Sequence, residues 1–305
     1  MEHWKEWIEH VSGDDIWTVH RYMKDNPTDY GCQKVPDLKR PNGTYTSSNK
    51  EKADQLANTF FPPEKPLEQD KHQFTEANPP KANNSQFPTF STECIISTLV
   101  KLSLFKAPGP SGISNAILKK CARLITPHLS AIYTAICNLN HYPKKFGNIF
   151  QIVLPKPGHA SYELLNSYCP IALIETMAKV QSTIIMEDLA YECETFHLPH
   201  HQFGRQAGRS TSDVLHSVEQ FIKNAWQNGQ AALALFLDIQ VAFPNMQKDQ
   251  LIENMKAWNL NPGYCSYVEM ILTQCQIQLK FDNHTSNPFS PPNGCCQGCP
   301  LSMLL

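Results

Sequence analysis

The sequence has no run of the roughly 18 to 20 apolar residues that cross a lipid bilayer, so we predict that it is not an integral membrane protein. The first ten residues, MEHWKEWIEH, lack the apolar stretch of a secretory signal. The 11 cysteines are therefore expected as free thiols inside a cell, not as a disulfide framework. The sequence has no Gly-rich phosphate loop, Ser-His-Asp order or H-x-E…C-x-x-C deaminase pattern, which argues against those enzyme classes.

The composition contains enough apolar side chains for a buried core, with 41% hydrophobic and 10% aromatic residues, and this excludes wholesale disorder. The net charge of −2 hides an uneven distribution. Residues 101–160 contain eight basic residues and no carboxylate: Lys101, Lys106, Lys119, Lys120, Arg123, Lys144, Lys145 and Lys156. Such a segment attracts polyphosphates or a nucleic-acid backbone, although half of these side chains could simply solvate helix faces.

Composition and periodicity predict three regions. Residues 1–61 are a helical connector, in which Trp4, Trp7, Ile8 and Val11 share one helical face. Residues 62–90 are a linker rich in proline and polar residues, and residues 91–305 are the compact part. Apolar spacing predicts helices over 50–61, 92–102, 115–122, 127–139, 177–196, 212–228, 248–258 and 264–273, with another beginning at 301. We expect Trp226 and Trp258, near helix ends, to pack against the core.

Short β-prone runs predict the strands. Residues 149–154 form one such run, and residues 277–282 and 287–290 suggest a hairpin. Residues 231–239 (AALALFLDI) are almost entirely apolar and predict a strand buried on both faces. The one charge in that run is Asp238, and a buried carboxylate is costly unless a partner such as a metal ion compensates it. Taken alone, the pattern favours the alternative, an aspartate that caps the next turn or pairs with an arginine.

Five blocks of short motifs change that interpretation. They are KAPGPSGI (106–113), YCPIAL (168–173), HQFG with GRST (201–211), FLDI with AFPN (236–245), and NGCCQGCPLS (293–302). In this order and spacing the set resembles the reverse transcriptases of non-LTR retrotransposons, particularly the fungal type, over residues 90–305. The resemblance implies an α+β fold: right-hand polymerase fingers and a partial palm with an incomplete antiparallel sheet and packed helices, preceded by the helical connector.

The resemblance also implies roles for individual residues. Asp238 would be the first catalytic carboxylate and a ligand of Mg²⁺, with the carbonyl of Ile239 beside it. Phe243 would pack under the deoxyribose, and Lys156 would hold the incoming triphosphate. The nascent base pair and the nucleic acid would be contacted by Gln297, Gly298, Arg209, Pro108, Gly109 and Gly112. The implied partners are an RNA template, a DNA primer and deoxynucleoside triphosphates, with no membrane. The implied compartment is the nucleus or cytoplasm, with the mitochondrion left open.

The sequence departs from the family at four points. Cys169 stands where an arginine is usual, Ser111 where an aspartate is usual, and Cys299 where aspartate or serine is common. The Phe/Tyr-x-Asp-Asp block is not found before Leu305. We therefore expect a chain truncated before that block and inactive as a polymerase in isolation, which leaves its status as an enzyme open. The alternatives are a non-catalytic nucleic-acid-binding module and an inert, poorly folded remnant.

The cysteines near the end of the sequence allow a different hypothesis. Cys295, Cys296 and Cys299 lie close together, with Cys265 and Cys275 nearby, which could indicate a zinc site. A structural zinc site usually combines two close ligand pairs, and a second pair is not evident here. The pattern therefore favours polymerase positions over zinc ligands.

Overall fold

The computed structural model describes residues 34–63, 90–196, 198, 201–204, 206–239 and 242–304. The predicted helical face at Trp4–Val11 and most of the predicted linker lie outside the described residues. The first five helices and first strand are α1 (Asn49–Phe60), α2 (Thr92–Lys101), α3 (Asn115–Lys120), α4 (Ala122–Leu139), α5 (Lys144–Gly147) and β1 (Asn148–Pro155). They are followed by β2 (Tyr168–Leu173), α6 (Thr176–Phe196), α7 (Thr211–Gln227), α8 (Ala242–Asn245), α9 (Lys248–Ala257), α10 (Pro262–Gln274), β3 (Gln276–Phe281) and β4 (His284–Thr285).

The four strands form a single sheet in the order β2-β1-β3-β4. Strand β1 pairs antiparallel with β2, Ile152 lying opposite Ile171, and parallel with β3, Ile149 lying opposite Ile277. The expected antiparallel sheet is therefore wrong in part, because this sheet is mixed. The physical reason is the long helical segment between β2 and β3, since parallel neighbours need such a crossover. Sequence analysis also missed β2, whose six residues include a proline.

The helices predicted between residues 50 and 273 are present, and side-chain caps explain where several begin. The Ser91 hydroxyl accepts a hydrogen bond from the Cys94 N–H at the start of α2. Ser210 and Asp213 form a reciprocal capping box at the start of α7. Asn140 ends α4 in the left-handed conformation that asparagine tolerates. At the end of the described chain, the predicted helix is only a short 3₁₀ turn, Leu301–Met303.

The hydrophobic core lies between the sheet and helices α2, α4, α6 and α10. Tyr133 of α4 is completely buried; its hydroxyl donates to the Met177 carbonyl at 2.7 Å, and its ring meets Phe90 edge-on at 5.5 Å. Residues 34–63 contribute to the same core. Phe61 packs edge-on against Phe289, with ring centres 5.7 Å apart.

The predicted buried strand at residues 231–239 is wrong. The structure has no regular secondary structure there, and the side chains of Leu233 and Phe236 are 94% and 84% exposed. A strand needs a hydrogen-bonding neighbour, and in the described residues none of the four strands pairs with this segment. Asp238 therefore lies on an exposed coil and does not end a buried strand.

Two smaller predictions about exposure and pairing had different outcomes. Trp226 is exposed and not packed against the core, whereas Trp258 does pack against it. The predicted hairpin exists, but β3 pairs with His284–Thr285, and residues 287–290 contribute only the bridge between Phe289 and Ile277. None of the helices in the described ranges is long and apolar enough to cross a bilayer.

Candidate nucleic-acid site

Strand β2 and the Gln297-Gly298 segment lie side by side. The Ala172 N–H donates to the Gln297 carbonyl at 2.8 Å, and the Cys169 thiol donates to the Gln297 side-chain oxygen at 3.6 Å. Gly298 has a φ of +124°, and a Cβ there would lie 2.7 Å from the Ala172 carbonyl oxygen. Only glycine allows this approach, so the structure uses Gly298 to bring the segment against β2.

Lys156 lies at the same end of the sheet. Leu154 and Pro155 of β1 lie opposite Cys169 and Tyr168 of β2, and Lys156 is the next residue along the chain. Its backbone N–H donates to the Ser167 carbonyl at 2.8 Å, and its ammonium group donates to the Asn166 carbonyl at 2.9 Å. The exposed ammonium group thus lies against the residues that precede β2, and its role in holding a triphosphate stays a prediction.

Phe243 is joined to the same segment from the other side. Its carbonyl accepts a hydrogen bond from the Cys295 N–H at 3.1 Å, and its side chain packs partly buried against the core. Gly294 has a φ of +83°, and a Cβ there would lie 2.8 Å from the Phe243 carbonyl oxygen. Residues 294–298 therefore connect Phe243 to Cys169.

The turn at Pro108–Gly112 rests on the residues that follow β2. The Gly112 N–H closes the turn on the Gly109 carbonyl at 3.0 Å. A Cβ on Gly109 would lie 2.6 Å from the Glu175 backbone, so this glycine permits the contact. Glu175, which sequence analysis missed, accepts hydrogen bonds from Ser111 and is only 4% exposed. Its signal in the sequence is a lone carboxylate in the apolar run IALIETMA.

Lys179 connects the turn to the end of the described chain, and it was also missed. Burial lowers the pKa of its ammonium group, the nearby Cys299 thiol opposes that shift, and the charge of Lys106 adds to it. The three side chains are therefore close enough to interact electrostatically. Lys106 belongs to the first motif block and Cys299 to the last, so the fold brings the two ends of the motif set together.

The comparisons with known proteins give the same family as the motifs. Residues 154–305 match the family described as "Reverse transcriptase (RNA-dependent DNA polymerase)". Three similar curated proteins are from Drosophila melanogaster. The probable RNA-directed DNA polymerase from transposon BS is 27% identical over 96% of this chain and 32% of its own length. The corresponding protein from transposon X-element is 26% identical, over 98% of this chain and 33% of its own length.

The third relative, the RNA-directed DNA polymerase from mobile element jockey, is 24% identical over 95% of this chain and 32% of its own length. Residues 154–305 are a reverse transcriptase domain. The domain is of the retrotransposon type, and the chain spans about a third of the length of these relatives. The resemblance inferred from the motif blocks is thus confirmed at the level of the family.

Three predicted site residues of the reverse transcriptase domain lie away from this cluster. Asp238 and Ile239 are in the exposed 231–239 coil, and in the described ranges no hydrogen bond joins either of them to the other four motif blocks. Arg209 donates to the Gln202 carbonyl at 3.0 Å, and its guanidinium lies 5.3 Å from the centre of the Phe203 ring. The roles of these residues in metal and phosphate binding stay predictions.

The described part of the reverse transcriptase domain does not itself form a metal site. Across those residues, no three His, Cys, Asp or Glu side chains converge in a way that could hold an ion. Asp238 is thus a single expected ligand for Mg²⁺. The same observation gives no support to the zinc hypothesis for Cys295, Cys296 and Cys299.

The four cysteines 275, 295, 296 and 299 instead line one small apolar cavity of about 30 Å³. Burial raises the pKa of the Cys275 thiol to about 12 and that of the Cys295 thiol to about 11. The thiolate is the reactive form of cysteine, and at neutral pH these groups stay protonated. They therefore act as small packing residues around this cavity of the reverse transcriptase domain.

Proposed function

We propose that this chain contains the fingers and part of the palm of a non-LTR retrotransposon reverse transcriptase, and that it holds an RNA template and an incoming deoxynucleoside triphosphate. The observation that supports this most strongly is the convergence on β2 of motif blocks that are far apart in the sequence. Gln297 contacts β2 directly, and the Pro108–Gly112 turn packs on the residue after it. In the same proposal, Pro108, Gly109 and Gly112 order the turn near the template.

The charge distribution supports nucleic-acid binding at this site. Lys106 and Lys156 come from the segment that has eight cations and no carboxylate, and Lys179 adds a third positive charge. At least three of the eight contact other groups of the described protein: Lys101 forms an ion pair with Glu187 at 3.3 Å, Lys119 donates to the Leu102 carbonyl at 2.7 Å, and Lys156 donates to the Asn166 carbonyl at 2.9 Å. Lys106 at the turn and the still exposed Lys156 at the end of β1 supply positive charges of the kind that bind a phosphate backbone.

The nucleotide contacts are proposed to be weaker than those of a complete site. A guanidinium makes two parallel hydrogen bonds to a phosphate, and the thiol of Cys169 cannot do so. Its contact with Gln297 nevertheless keeps β2 and the proposed base-pair segment in register. We propose Phe243 as the residue beneath the sugar and Asp238 as the carboxylate that would bind Mg²⁺.

A non-catalytic nucleic-acid-binding module is the second candidate. The position of Asp238 on an exposed coil favours it, because a catalytic carboxylate must be held close to the reacting phosphate. Under either candidate we expect no extension of a primer by this chain in isolation. The fungal type within the non-LTR class, and a nuclear or cytoplasmic compartment, stay predictions from the resemblance.

Filter binding of an RNA–DNA hybrid across a salt series tests the proposal. We expect saturable binding that weakens steeply with salt, and we expect Lys106→Gln and Lys156→Gln each to lower the slope of log affinity against log salt by about one. Lys50→Gln on α1, which removes an exposed charge outside the motif blocks, is the control and should leave the slope unchanged. Absence of saturable binding would contradict both candidates and favour an inert remnant.

An extension assay tests the expectation, shared by both candidates, that this chain is inactive in isolation. Primer, RNA template, Mg²⁺ and deoxynucleotides should give no product with this chain. Primer extension that Asp238→Ala abolishes would contradict that expectation and show that Asp238 reaches a working catalytic site.

A further inference from the structure

Glu175 is a buried carboxylate immediately before helix α6, and both of its oxygens accept hydrogen bonds from Ser111. The Ser111 N–H donates to one oxygen at 2.7 Å, and the Ser111 hydroxyl donates to the other at 2.5 Å. In the described residues, no Lys, Arg or His nitrogen lies within 4.0 Å of it. The Ser111 donors and the positive end of α6 are therefore what compensates its negative charge.

The backbone around Glu175 holds the 108–113 turn at two further points. Gly109 lies directly against the Glu175 backbone, where no side chain fits. The Thr176 hydroxyl donates to the Ile113 carbonyl at 2.7 Å. Residues 175 and 176 thus hold the beginning, middle and end of the turn against the end of β2.

Ser111 is the position at which the reverse transcriptase motif usually has an aspartate. We infer that Glu175 supplies from the opposite side the carboxylate that Ser111 lacks, and that it is a positioning residue holding the 108–113 turn for nucleic-acid binding. The expected effect on RNA binding rests on the proposed function. The expected effect on the order of the turn rests only on the contacts between Glu175 and Ser111. Two carboxylates in contact at low solvent exposure repel each other, so we expect the site to accept only one.

The exchange of the carboxylate between positions 111 and 175 provides the test. Glu175→Ser leaves the Ser111 donors without their acceptor, and Ser111→Asp places a second carboxylate against the first. We expect each single variant to raise hydrogen exchange at the amides of 111–113 about tenfold or more and to weaken RNA binding by a similar factor. The double variant Ser111→Asp/Glu175→Ser has one carboxylate again, and we expect both quantities to return to within about threefold of the wild-type values.

The double variant distinguishes positioning by the carboxylate from simple packing. If Glu175 only fills space, the double variant is as defective as Glu175→Ser or worse, and the inference is overturned. Glu175→Gln keeps one acceptor oxygen and should fall between wild type and Glu175→Ser; it serves as the reporter if Glu175→Ser does not fold. Unchanged exchange at 111–113 in Glu175→Gln would also overturn the inference.

A matched control removes a carboxylate elsewhere. Glu253→Ser on α9 takes away one exposed negative charge and should change neither the exchange of the turn nor RNA binding. If the wild-type chain binds no RNA, the proposed function fails, while the exchange pattern of the four variants still decides the structural part. If RNA binds but exchange and affinity are both unchanged in Glu175→Ser, only the Glu175 inference fails.

Discussion

Gly298 combines two constraints in one residue. Its φ of +124° lies in a region that side chains rarely adopt, and a Cβ would lie 2.7 Å from the Ala172 carbonyl oxygen, which is backbone and cannot rotate away. We expect Gly298→Ala to lower the free energy of unfolding by about 2–4 kcal/mol, measured by urea denaturation. The loss should include the Ala172–Gln297 hydrogen bond, which amide hydrogen exchange at Ala172 reports.

Gly158 is the matched control for Gly298. It has a φ of +79°, but nothing lies within 4 Å of the position of its Cβ. Gly158→Ala therefore carries only the conformational cost of about 1–2 kcal/mol, without a steric clash. Equal losses for the two variants would show that the close approach to β2 does not contribute to stability.

The site residues differ in how far the sequence reveals them. The close approach at Gly298 could be predicted because its motif is local and the need for a glycine there is a property of the backbone, whereas the nucleotide contact of Gln297 stays a prediction. The apolar run around Glu175 marks it as a buried carboxylate, but its contact with Ser111 could not be predicted, because the two residues are 64 positions apart. Asp238 was predicted at the end of a strand, but its setting depends on pairing that the local pattern cannot specify.

Helix α7 is amphipathic, yet its apolar side chains are in contact with water. Leu215 is 68% exposed, and Val218 and Phe221 on the same helix are also exposed. Because these side chains bury little area in the fold, we expect Leu215→Gln and Phe221→Gln to change the free energy of unfolding by less than about 0.5 kcal/mol. The same substitutions should reduce binding of a hydrophobic dye and self-association in sedimentation, since they reduce an exposed apolar patch.

Helix α6 provides the contrast with α7. Leu189 is 1% exposed and lies in the core, so Leu189→Ala should cost about 2–5 kcal/mol in urea denaturation. A large loss of stability on changing Leu215 or Phe221 would show instead that α7 is packed against the rest of the protein in solution.

Helices were predicted better than strands for a physical reason. A helix satisfies its hydrogen bonds within one segment, and signals such as the Ser91 and Ser210 caps are therefore local. A strand needs a neighbour from elsewhere in the chain, so apolar character at 231–239 indicated a preference for burial without supplying a partner. The same dependence explains why β2 was missed and why the parallel β1–β3 pair was not foreseen.

Two aspartates, Asp188 and Asp213, have pKa values that the fold shifts in opposite directions, and both affect how stability depends on pH. Burial raises the pKa of Asp188, the neighbouring charge of Glu187 adds to this, and a hydrogen bond from the Tyr264 hydroxyl opposes it. Asp213 is the opposite case, because hydrogen bonds from the Ser210 hydroxyl and N–H lower its pKa. The free energy of unfolding therefore depends on pH in opposite directions at these two groups.

Asp188→Asn tests the first contribution. The folded state binds more protons at Asp188 than the unfolded state between the ordinary pKa and the raised one, so the stability of the wild type falls as pH rises through that interval. Asparagine keeps the oxygen that accepts from Tyr264 and removes the charge. We expect Asp188→Asn to be more stable than wild type at pH 7 and equal to it near pH 3, where both side chains are neutral.

Asp213→Asn should show the reverse, a loss of stability at pH 7 that disappears at low pH, because the lowered pKa of Asp213 stabilises the folded state only above the ordinary pKa of aspartate. Urea denaturation at both pH values measures this, and parallel pH profiles for wild type and Asp188→Asn would show that Asp188 is fully hydrated.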